Sequence, residues 1–384
     1  MAEYYRDPYG KTGTANPEQR SAAIWLTALD IFMAVVSALS ALMLTVIFTS
    51  QFVSPDKMWY FSLLGLLAPI VYIIALVAMF YWIIRWKWIP TVIMLLFILT
   101  GLFYVPLYCK IDITRTYGDP VYDRGNVKIL TFNVRHFLDD RWHSSADSVA
   151  ALVKTQQPDI ICFQEYPGGG AIRKRMESLL EGYQPSGMST RKKDLAVECF
   201  SRNGIIKTDS ITGLNGTALG MWADVRMADD TVRVFNIHLQ ITSVSPKDNQ
   251  YITHHQFLAD STRKQRFHDI ARGLLANNRR RAQQVNLIRS EIEQSPYPVV
   301  VCGDFNDVPM SYAYRTVAKG LDDTFRKQGH GYAHTYRGLF DMLRIDYILV
   351  DPHRFETLSY EIPQLEVSDH YPVVSRIKLT DNKL

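Results

Sequence analysis

The chain has 384 residues, which is enough for a large domain with an additional segment or for several domains. Its 42 basic and 38 acidic residues give a net charge of +4, too small an excess to indicate a class of partner. The four cysteines form no CxxC pair, so they leave the redox compartment open. Because Cys and His are not clustered, the sequence argues against a zinc site.

Three long apolar stretches precede the polar part of the chain, at residues 24–48, 59–84 and 88–107. A helix needs about 20 apolar residues to cross the hydrocarbon core of a bilayer, so each stretch could span it. Tryptophan and tyrosine gather near the ends of the stretches, as is typical of the membrane interface. A cleaved signal peptide fits poorly, because the first stretch is long and two more follow. The sequence therefore predicts a three-helix transmembrane anchor over residues 24–108.

Lysine and arginine counts give a weak indication of how this anchor is oriented. Slightly more of these residues lie on the side of residues 1–23, so we expect that segment to be a cytoplasmic N-terminal tail. With three spans, the chain beyond a polar linker at 109–125 would lie outside the cytoplasm. The prediction is an integral, multi-pass protein of the inner or plasma membrane, with a catalytic domain at 126–384 on the outer, periplasmic or extracytoplasmic side.

Short apolar strands alternate with helical patterns after the linker. The strands are predicted at 127–134, 159–165, 231–239, 298–305, 345–350 and 371–379. Helices are predicted to begin at Ser144 or Ser145 and to cover 282–292, and "ADDT" at 228–231 indicates a hairpin. Hairpins combined with strand–helix alternation favour mixed sheets. We therefore predict the α/β class, as a four-layered α/β sandwich of two packed mixed β-sheets flanked by helices.

The predicted strands share a feature: each has, at or near one end, residues able to bind a cation or move a proton. The stretch "PVVVCGDFND" runs from four apolar residues into Asp304 and Asn306. The other residues of this kind are Asn133, Glu165, Asn236, His238, Asp346, Asp369 and His370. Taken singly, each is more often a turn, cap or solvated residue. Six segments with the same feature are much harder to attribute to chance.

The residue types at these strand ends suit phosphoester chemistry. Oxygens of Asp, Glu and Asn are ligands for a hard cation such as Mg²⁺ or Mn²⁺, which often accompanies a phosphate substrate. Two histidines and an aspartate could handle protons and donate hydrogen bonds to phosphoryl oxygens. An aspartate aimed at a histidine fixes the tautomer of that histidine and favours its protonated form. The sequence therefore predicts metal-dependent phosphoester hydrolysis.

Six motifs along this part of the chain carry a family resemblance: "TFNVR", "DIICFQE", "FNIHL", "CGDFND", "RIDYIL" and "SDHYPV". Together they resemble the endonuclease/exonuclease/phosphatase superfamily, which includes pancreatic deoxyribonuclease, neutral sphingomyelinases and inositol polyphosphate phosphatases. Each motif alone is weak, but six in this order and spacing are specific. The resemblance covers roughly residues 126–380 and implies a magnesium-dependent hydrolase acting on ester bonds, here as a membrane-anchored member.

The resemblance implies a metal site and a reactive centre at particular positions. Glu165 would be the principal metal ligand, with Asn133 and Asp369 helping to complete the metal shell. Asp304 would position or deprotonate the attacking water, and Asn306 would hold the substrate phosphate or a second cation. The implied cofactor is Mg²⁺ or Mn²⁺.

The resemblance also gives roles to two histidines and an arginine. His370 would contact the scissile phosphate and would be oriented by Asp346. His238 would contact the phosphate or donate a proton. Arg344 is expected to be a phosphate-side or structural contact and not a catalyst. The general base is assigned differently among family members, so that role stays open.

The expected partners are a lipid bilayer and a phosphoester substrate, such as a nucleic acid, a nucleotide or a phospholipid headgroup; no protein partner is expected. A nuclease-type phosphodiesterase is the leading prediction. A phospholipid- or sphingomyelin-directed phosphodiesterase or phosphatase is the alternative, because the anchor places the site near headgroups. A catalytically silent binding module would be expected to lack at least one of the residues above. The basic run at 279–281 is interpreted as an exposed helix face, and Asp307 as a turn residue.

Overall fold

The computed structural model describes residues 17–58, 67–110, 126–188, 196–213, 216, 218–241, 263–338 and 341–380. The chain divides into two compact units. The first unit contains Met1–Thr45 and Ala68–Gly101, and the second contains Val46–Leu67 and Leu102–Leu384. The second unit therefore includes the predicted catalytic segment together with shorter pieces of chain next to the apolar helices.

The apolar part of the chain forms three helices, α1 (Pro17–Ser50), α2 (Ala68–Ile84) and α3 (Trp88–Leu102). Because a helix satisfies its backbone hydrogen bonds internally, such a segment can expose apolar side chains to lipid. Within the first unit, polar contacts join α1 to α2. The guanidinium of Arg85 donates to both carboxylate oxygens of Asp30, at 2.9 and 3.0 Å. The indole nitrogen of Trp82 donates to Ser37 Oγ at 2.8 Å.

Two helical segments among the described residues are long and apolar enough to cross a membrane, judged by length and composition: Ser21–Ser50 and Trp88–Leu107. The sequence predicts three spans, and the difference lies in the second. Helix α2 has 17 residues, which at 1.5 Å per residue falls short of a hydrocarbon core of about 30 Å. The predicted second span began at Trp59, and residues 59–66 lie outside the described part of the chain.

The second unit contains all of the described strands. The first seven strands are β1 (Cys109–Lys110), β2 (Asn126–Asn133), β3 (Ile160–Gln164), β4 (Gln184–Pro185), β5 (Val197–Ser201), β6 (Ile205–Thr212) and β7 (Ala218–Met227). The later strands are β8 (Asp230–His238), β9 (Val299–Asp304), β10 (Asp322–Asp323), β11 (Gly331–Tyr332), β12 (Asp346–Val350), β13 (Phe355–Glu361) and β14 (Val373–Leu379). The six predicted strands are all present, as β2, β3, β8, β9, β12 and β14.

Within the described residues, β1 and β11 form a two-stranded sheet, and the other strands form two six-stranded sheets, with orders β13-β14-β2-β3-β5-β4 and β10-β12-β9-β8-β7-β6. Each six-stranded sheet has one parallel pair, β2 with β3 and β8 with β9, and the remaining neighbours are antiparallel. Strands β7 and β8 form the predicted hairpin, in which Met227 pairs with Asp230. The prediction of mixed sheets is therefore confirmed.

The two sheets pack face to face, because alternate residues of each strand point to opposite sides. In β2, Val127 and Ile129 belong to the apolar cluster between the sheets, whereas Leu130 and Phe132 belong to a second cluster on the outer face. Val300 of β9 and Ile348 of β12 reach the inter-sheet cluster from the other sheet. The core is thus built from both sheets, as the prediction of a sandwich requires.

The described helices of the second unit are α4 (Ala146–Gln156), α5 (Ala171–Leu179), α6 (Arg263–Glu293), α7 (Tyr312–Val317) and α8 (Thr324–Gln328). Val149 and Val153 of α4 join the outer cluster of the first sheet, so this helix covers that face. Helix α4 ends at Gln156 and is followed by a left-handed Gln157, directly before Pro158. Helix α6 buries the predicted apolar stripe, which includes Val285 and Ile288.

The chain that follows α3 is joined to the second unit by strand pairing. Cys109 of β1 pairs with Tyr332 of β11, and Ala333 N donates to the carbonyl of Tyr108 at 2.8 Å. The predicted linker at 109–125 therefore begins with a short strand. Its remaining residues, 111–125, lie outside the described part of the chain.

Candidate active site

Most of the predicted site residues meet at one end of the layer between the sheets. Alternate residues of a strand point to the same face, so Asn133 is on the inward face of β2 with Val127 and Ile129. In the same way, Asp304 is on the inward face of β9 with Val300 and Cys302. Asp346 is likewise on the same face of β12 as Ile348, the inward face. The inward faces therefore change from apolar to polar as they approach this end of the strands.

Asn133 connects the two sheets at this end. Its amide nitrogen donates to Glu165 Oε1 at 3.3 Å and to Asp304 Oδ2 at 3.1 Å. Its amide oxygen accepts from Arg135 N at 3.1 Å. Glu165 follows β3 with a φ of +51°, a left-handed conformation that is uncommon outside glycine and that turns the chain at the end of the strand. Asn133 thus holds two carboxylates at the mouth of the layer.

Asp304 lies at the centre of the cluster and is buried. Its Oδ2 is 3.7 Å from Nε2 of His238 and 3.7 Å from Nε2 of His370. Strand β9 can approach β8 this closely because residue 303 is glycine. A Cβ at Gly303, which has a φ of +135°, would lie 2.0 Å from the carbonyl oxygen of Ile237. The glycine in "CGDFND" therefore keeps His238 and Asp304 in register.

Asn306 closes the turn that follows β9. Its backbone nitrogen donates to Asp304 Oδ1 at 2.8 Å, and its amide nitrogen donates to Asp304 Oδ2 and to the carbonyl of Leu239, both at 3.1 Å. Asn306 has a φ of +51°, which asparagine tolerates better than most residues. Its side chain thus ties the ends of β8 and β9 together beside the carboxylate.

Asp346 and His370 form a buried pair, with Nδ1 of His370 3.0 Å from Asp346 Oδ2. Burial by itself lowers the pKa of His370, but the negative charges of Asp346 and Asp304 outweigh it and raise the pKa to about 10. Burial raises the pKa of Asp346 to about 6, and the charge of Asp304 adds to the rise. The pair therefore favours a protonated imidazole whose Nε2 faces Asp304.

Asp369 stands beside this pair and is half-buried. Ser368 Oγ donates to the carbonyl of Asn133 at 2.8 Å, and the same Oγ lies 3.3 Å from Asp369 Oδ1. Ser368 thereby joins the loop before β14 to the end of β2. This contact brings Asp369 to the same end of the layer as Glu165.

The structure places Arg344 elsewhere, in the interior. The side chain is buried, and its guanidinium donates to Asp323 Oδ1 at 2.5 Å and to the carbonyl of Leu107 at 3.1 Å. It also packs against the rings of Phe325 and Tyr347. These are the contacts of a structural residue, and they do not bring the guanidinium to the carboxylate cluster.

Asn236 was grouped with the strand-end residues, but it belongs to the core between the sheets. Its amide nitrogen donates to the carbonyls of Phe163 and Glu198 in the opposite sheet, at 3.0 and 3.1 Å. Its oxygen accepts from Gln164 at 2.7 Å. Gln164 was not singled out from the sequence, although it directly precedes Glu165 in "FQE". The pair forms a polar layer below the site.

Two further residues of the site were not predicted. The ring of Tyr336 lies 5.1 Å from that of His370, and burial together with the charges of Asp369 and Asp304 raises the pKa of Tyr336 to about 12. His136 Nε2 lies 3.9 Å from Glu165 Oε2. Neither residue ends a strand, so the feature that selected the other residues could not have found them.

The carboxylates fit a divalent cation. Glu165, Asp304, Asp346 and Asp369 are oxygen donors suited to a hard cation, and Glu165 and Asp369 are only half-buried. Asp304, Asp346 and His370 also lie close enough together to surround an ion. Because Nδ1 of His370 already bonds to Asp346, the more exposed carboxylates are the better candidates. His238 Nε2 is buried and has no hydrogen-bond partner within the described residues.

Comparison with known proteins gives two family matches. A model described as the Endonuclease/Exonuclease/phosphatase family matches residues 130–370, which is more than half of the chain. A model described as a domain of unknown function matches residues 30–108. No curated protein sequence matches the chain.

Several solved structures are similar to about two thirds of the chain at low sequence identity. An endonuclease/exonuclease/phosphatase from Beutenbergia cavernae is 17% identical with a TM-score of 0.47, over 67% of this chain and 72% of that chain. A mannosyl-6-phosphatase from Bacteroides thetaiotaomicron is 18% identical with a TM-score of 0.45, over 66% and 100%. The catalytic domain of human Nocturnin with bound sulfate is 15% identical with a TM-score of 0.44, over 68% and 97%.

Proposed function

Because the chain belongs to the endonuclease/exonuclease/phosphatase family and is thereby a hydrolase of phosphoester bonds, we propose that it is a membrane-tethered phosphodiesterase. We propose further that it works with a divalent cation, Mg²⁺ or Mn²⁺. The observation that carries the proposal is the convergence on Asp304. Two histidines approach its carboxylate at 3.7 Å, and Asn133 links it to Glu165.

The cation would be held by Glu165 and Asp369, the two half-buried carboxylates of the cluster. When bound, it supplies Lewis-acid polarisation of a phosphoryl oxygen and stabilises the negative charge that develops in the transition state. Asn133 keeps Glu165 in place by donating to its carboxylate at 3.3 Å. Because the ligands are oxygens and not thiolates, hard cations are favoured over zinc.

The remaining polar residues of the cluster orient the reactants. Asp304 Oδ2 accepts a hydrogen bond from the attacking water and aligns it with the phosphorus. The protonated Nε2 of His370, favoured by Asp346, donates to a phosphoryl oxygen. His238 Nε2, which has no hydrogen-bond partner within the described residues, would contact the phosphate. Asn306 holds the turn that carries Asp304.

A panel of substrates tests the proposal and identifies the substrate class. The full-length protein in detergent micelles would be assayed with plasmid DNA, nucleotide esters, sphingomyelin, phosphoinositides and bis(p-nitrophenyl) phosphate. We expect turnover with Mg²⁺ or Mn²⁺ and its loss in excess chelator. Preference for lipid headgroups would favour a phospholipid- or sphingomyelin-directed enzyme over a nuclease. Inactivity on every substrate with both cations would contradict the proposed activity.

The proposed membrane tether rests on the two apolar helices Ser21–Ser50 and Trp88–Leu107. We propose that they anchor the protein in the inner or plasma membrane and that the hydrolytic site faces the outer side. Treating intact spheroplasts with protease tests this arrangement. Cleavage within residues 126–384 without lysis is expected. Protection of this segment until lysis would place the site in the cytoplasm instead.

A further inference from the structure

Arg281, the last residue of the basic run at 279–281, is buried in the structure, whereas Arg279 and Arg280 are exposed. The expectation of an exposed helix face therefore holds for two of the three arginines. A buried guanidinium needs partners for its donors, because an unpaired charge in a low-dielectric interior is costly. The partners of Arg281 show what this residue is used for.

Two of the partners are backbone carbonyls in the loops that follow β8 and β9. Arg281 Nη1 donates to the carbonyl of Gln240 at 3.0 Å and to the carbonyl of Asn306. The Nε atom of Arg281 lies 3.0 Å from Asp307 Oδ2. Asp307 therefore has a buried ionic contact in addition to its position in a turn. One side chain thus contacts both loops.

These loops carry two of the residues proposed to act on the substrate. Gln240 lies two residues after His238, and Asn306 lies two residues after Asp304. One helical turn from Arg281, the side chain of Gln284 accepts a hydrogen bond from Gln240 N at 2.8 Å. Helix α6 therefore fixes the backbone of Gln240 through both its carbonyl and its amide.

The contact at Asn306 is made at a residue with a strained backbone conformation. Asn306 has a φ of +51°, and left-handed backbone at a residue other than glycine costs free energy that the surroundings must offset. The carbonyl of Asn306 is held by Arg281, and its amide by Asp304 Oδ1 at 2.8 Å. Loss of the Arg281 side chain would therefore shift Asn306, and the shift of Asn306 would displace Asp304.

We propose that Arg281 is a positioning residue of the hydrolytic site, which holds the loops after β8 and β9 so that His238 and Asp304 face each other across 3.7 Å. The proposal rests on the proposed hydrolase function for its catalytic consequence, but its structural part does not. Misplacing catalytic groups by about 1 Å can lower a rate by about 100-fold, so a clamp of this kind affects turnover without touching the substrate.

The test compares four variants of the full-length protein. Arg281→Met removes the clamp, and Arg281→Lys keeps a charge that can reach fewer acceptors than the planar guanidinium. Arg280→Met is the matched control, because this exposed arginine is the preceding residue of the same helix. The double variant Arg281→Met/Asp307→Asn removes both charges of the pair, so that the half-buried Asp307 carboxylate is not left without its counter-ion.

Hydrogen–deuterium exchange gives a readout that does not depend on activity. We expect Arg281→Met and the double variant to exchange faster than wild type in peptides covering 236–241 and 302–308, with Arg280→Met unchanged. Unchanged exchange in both Arg281→Met and the double variant would overturn the proposal. A loss of protection spread evenly over both sheets would also overturn it, because it would indicate a general structural role.

The kinetic readout uses bis(p-nitrophenyl) phosphate with Mn²⁺. We expect kcat to fall about 10- to 100-fold in Arg281→Met and in the double variant, with KM changed much less, and a partial recovery in Arg281→Lys. A wild-type kcat in the double variant would overturn the catalytic part of the proposal. If the wild-type protein hydrolyses no phosphoester, the proposed function fails, while the exchange experiment still decides whether Arg281 holds the two loops.

Discussion

The buried carboxylate of Asp304 is surrounded by hydrogen-bond donors. Its Oδ2 accepts from the amide groups of Asn133 and Asn306, both at 3.1 Å, and its Oδ1 accepts from Asn306 N at 2.8 Å. An ionised carboxylate is purely an acceptor, so all three bonds are satisfied at once. The same oxygen that binds the two amides also faces both histidines. The structural and the proposed catalytic roles of Asp304 therefore share one atom.

Replacing Asp304 by asparagine should lower kcat by about 10²- to 10⁴-fold, the range for a lost acid–base group. The variant should also be less stable, because a new NH₂ group would face existing donors or leave them unpaired. Steady-state assays on bis(p-nitrophenyl) phosphate measure the first effect, and thermal unfolding measures the second. Asp229→Asn, in the exposed turn between β7 and β8, is the control. A wild-type kcat in Asp304→Asn would contradict the proposed role.

Replacing Glu165 by alanine should abolish turnover and weaken Mn²⁺ binding, because it removes the carboxylate proposed to hold the cation. Isothermal titration with MnCl₂ measures binding independently of turnover. Glu181→Ala, which changes an exposed glutamate in the same unit, should bind and turn over like wild type. Full metal-dependent activity in Glu165→Ala would show that the cation is held elsewhere in the cluster.

Replacing Asp346 by asparagine should lower the pKa of His370. In the native protein the charges of Asp346 and Asp304 raise that pKa to about 10, so the imidazole stays protonated at neutral pH. The substitution removes the charge of Asp346 but keeps the shape of the side chain. Burial, which disfavours the protonated imidazole, is then opposed by fewer negative charges. NMR titration of the histidine ring in metal-free protein measures the change. An unchanged His370 pKa would mean that Asp346 does not control its protonation.

At the scale of strands, the apolar runs and their polar ends were sufficient to predict six of the strands and most of the polar residues that cluster at their ends. This works because parity is local: the residue that follows Val300 and Cys302 on the same face must be Asp304. Arg281 and Tyr336 could not be found in this way, since neither residue ends a strand. Arg344 illustrates the reverse case, because its place before a strand gave no indication of its burial against Asp323.

Asn236 should contribute strongly to stability, because it joins the two sheets below the site. Its two donors bind the carbonyls of Phe163 and Glu198, and its oxygen binds Gln164. Asn236→Ala leaves these buried groups short of partners, at about 1–3 kcal/mol for each unsatisfied group. Chemical unfolding monitored by tryptophan fluorescence measures the loss. The matched change at exposed Asn203 should have little effect; equal losses in the two variants would contradict a special role for Asn236.

At the scale of the whole molecule, the boundary between the apolar and polar segments in the sequence differs from the boundary between the two compact units in the structure. The hydropathy pattern places the end of the anchor at 108 and the start of the catalytic domain at 126. The compact second unit nevertheless begins again at Leu102 and also includes Val46–Leu67. Hydropathy could not reveal that the unit begins before residue 109, because Leu107 and Tyr108 are held through their backbone carbonyls. The carbonyls of Leu107 and Tyr108 carry no sequence signature.

A chain truncated to residues 126–384 should therefore be less stable than one truncated to residues 102–384. The shorter chain loses the Leu107 carbonyl, which accepts from buried Arg344 at 3.1 Å, and the Tyr108 carbonyl, which accepts from Ala333 N. Each lost partner costs about 1–3 kcal/mol, and more when the donor is charged. Urea unfolding of the two chains measures the difference, and a chain beginning at residue 111 should behave like the shorter one. Equal midpoints would contradict the argument and would make Leu102–Lys110 dispensable for folding of this unit.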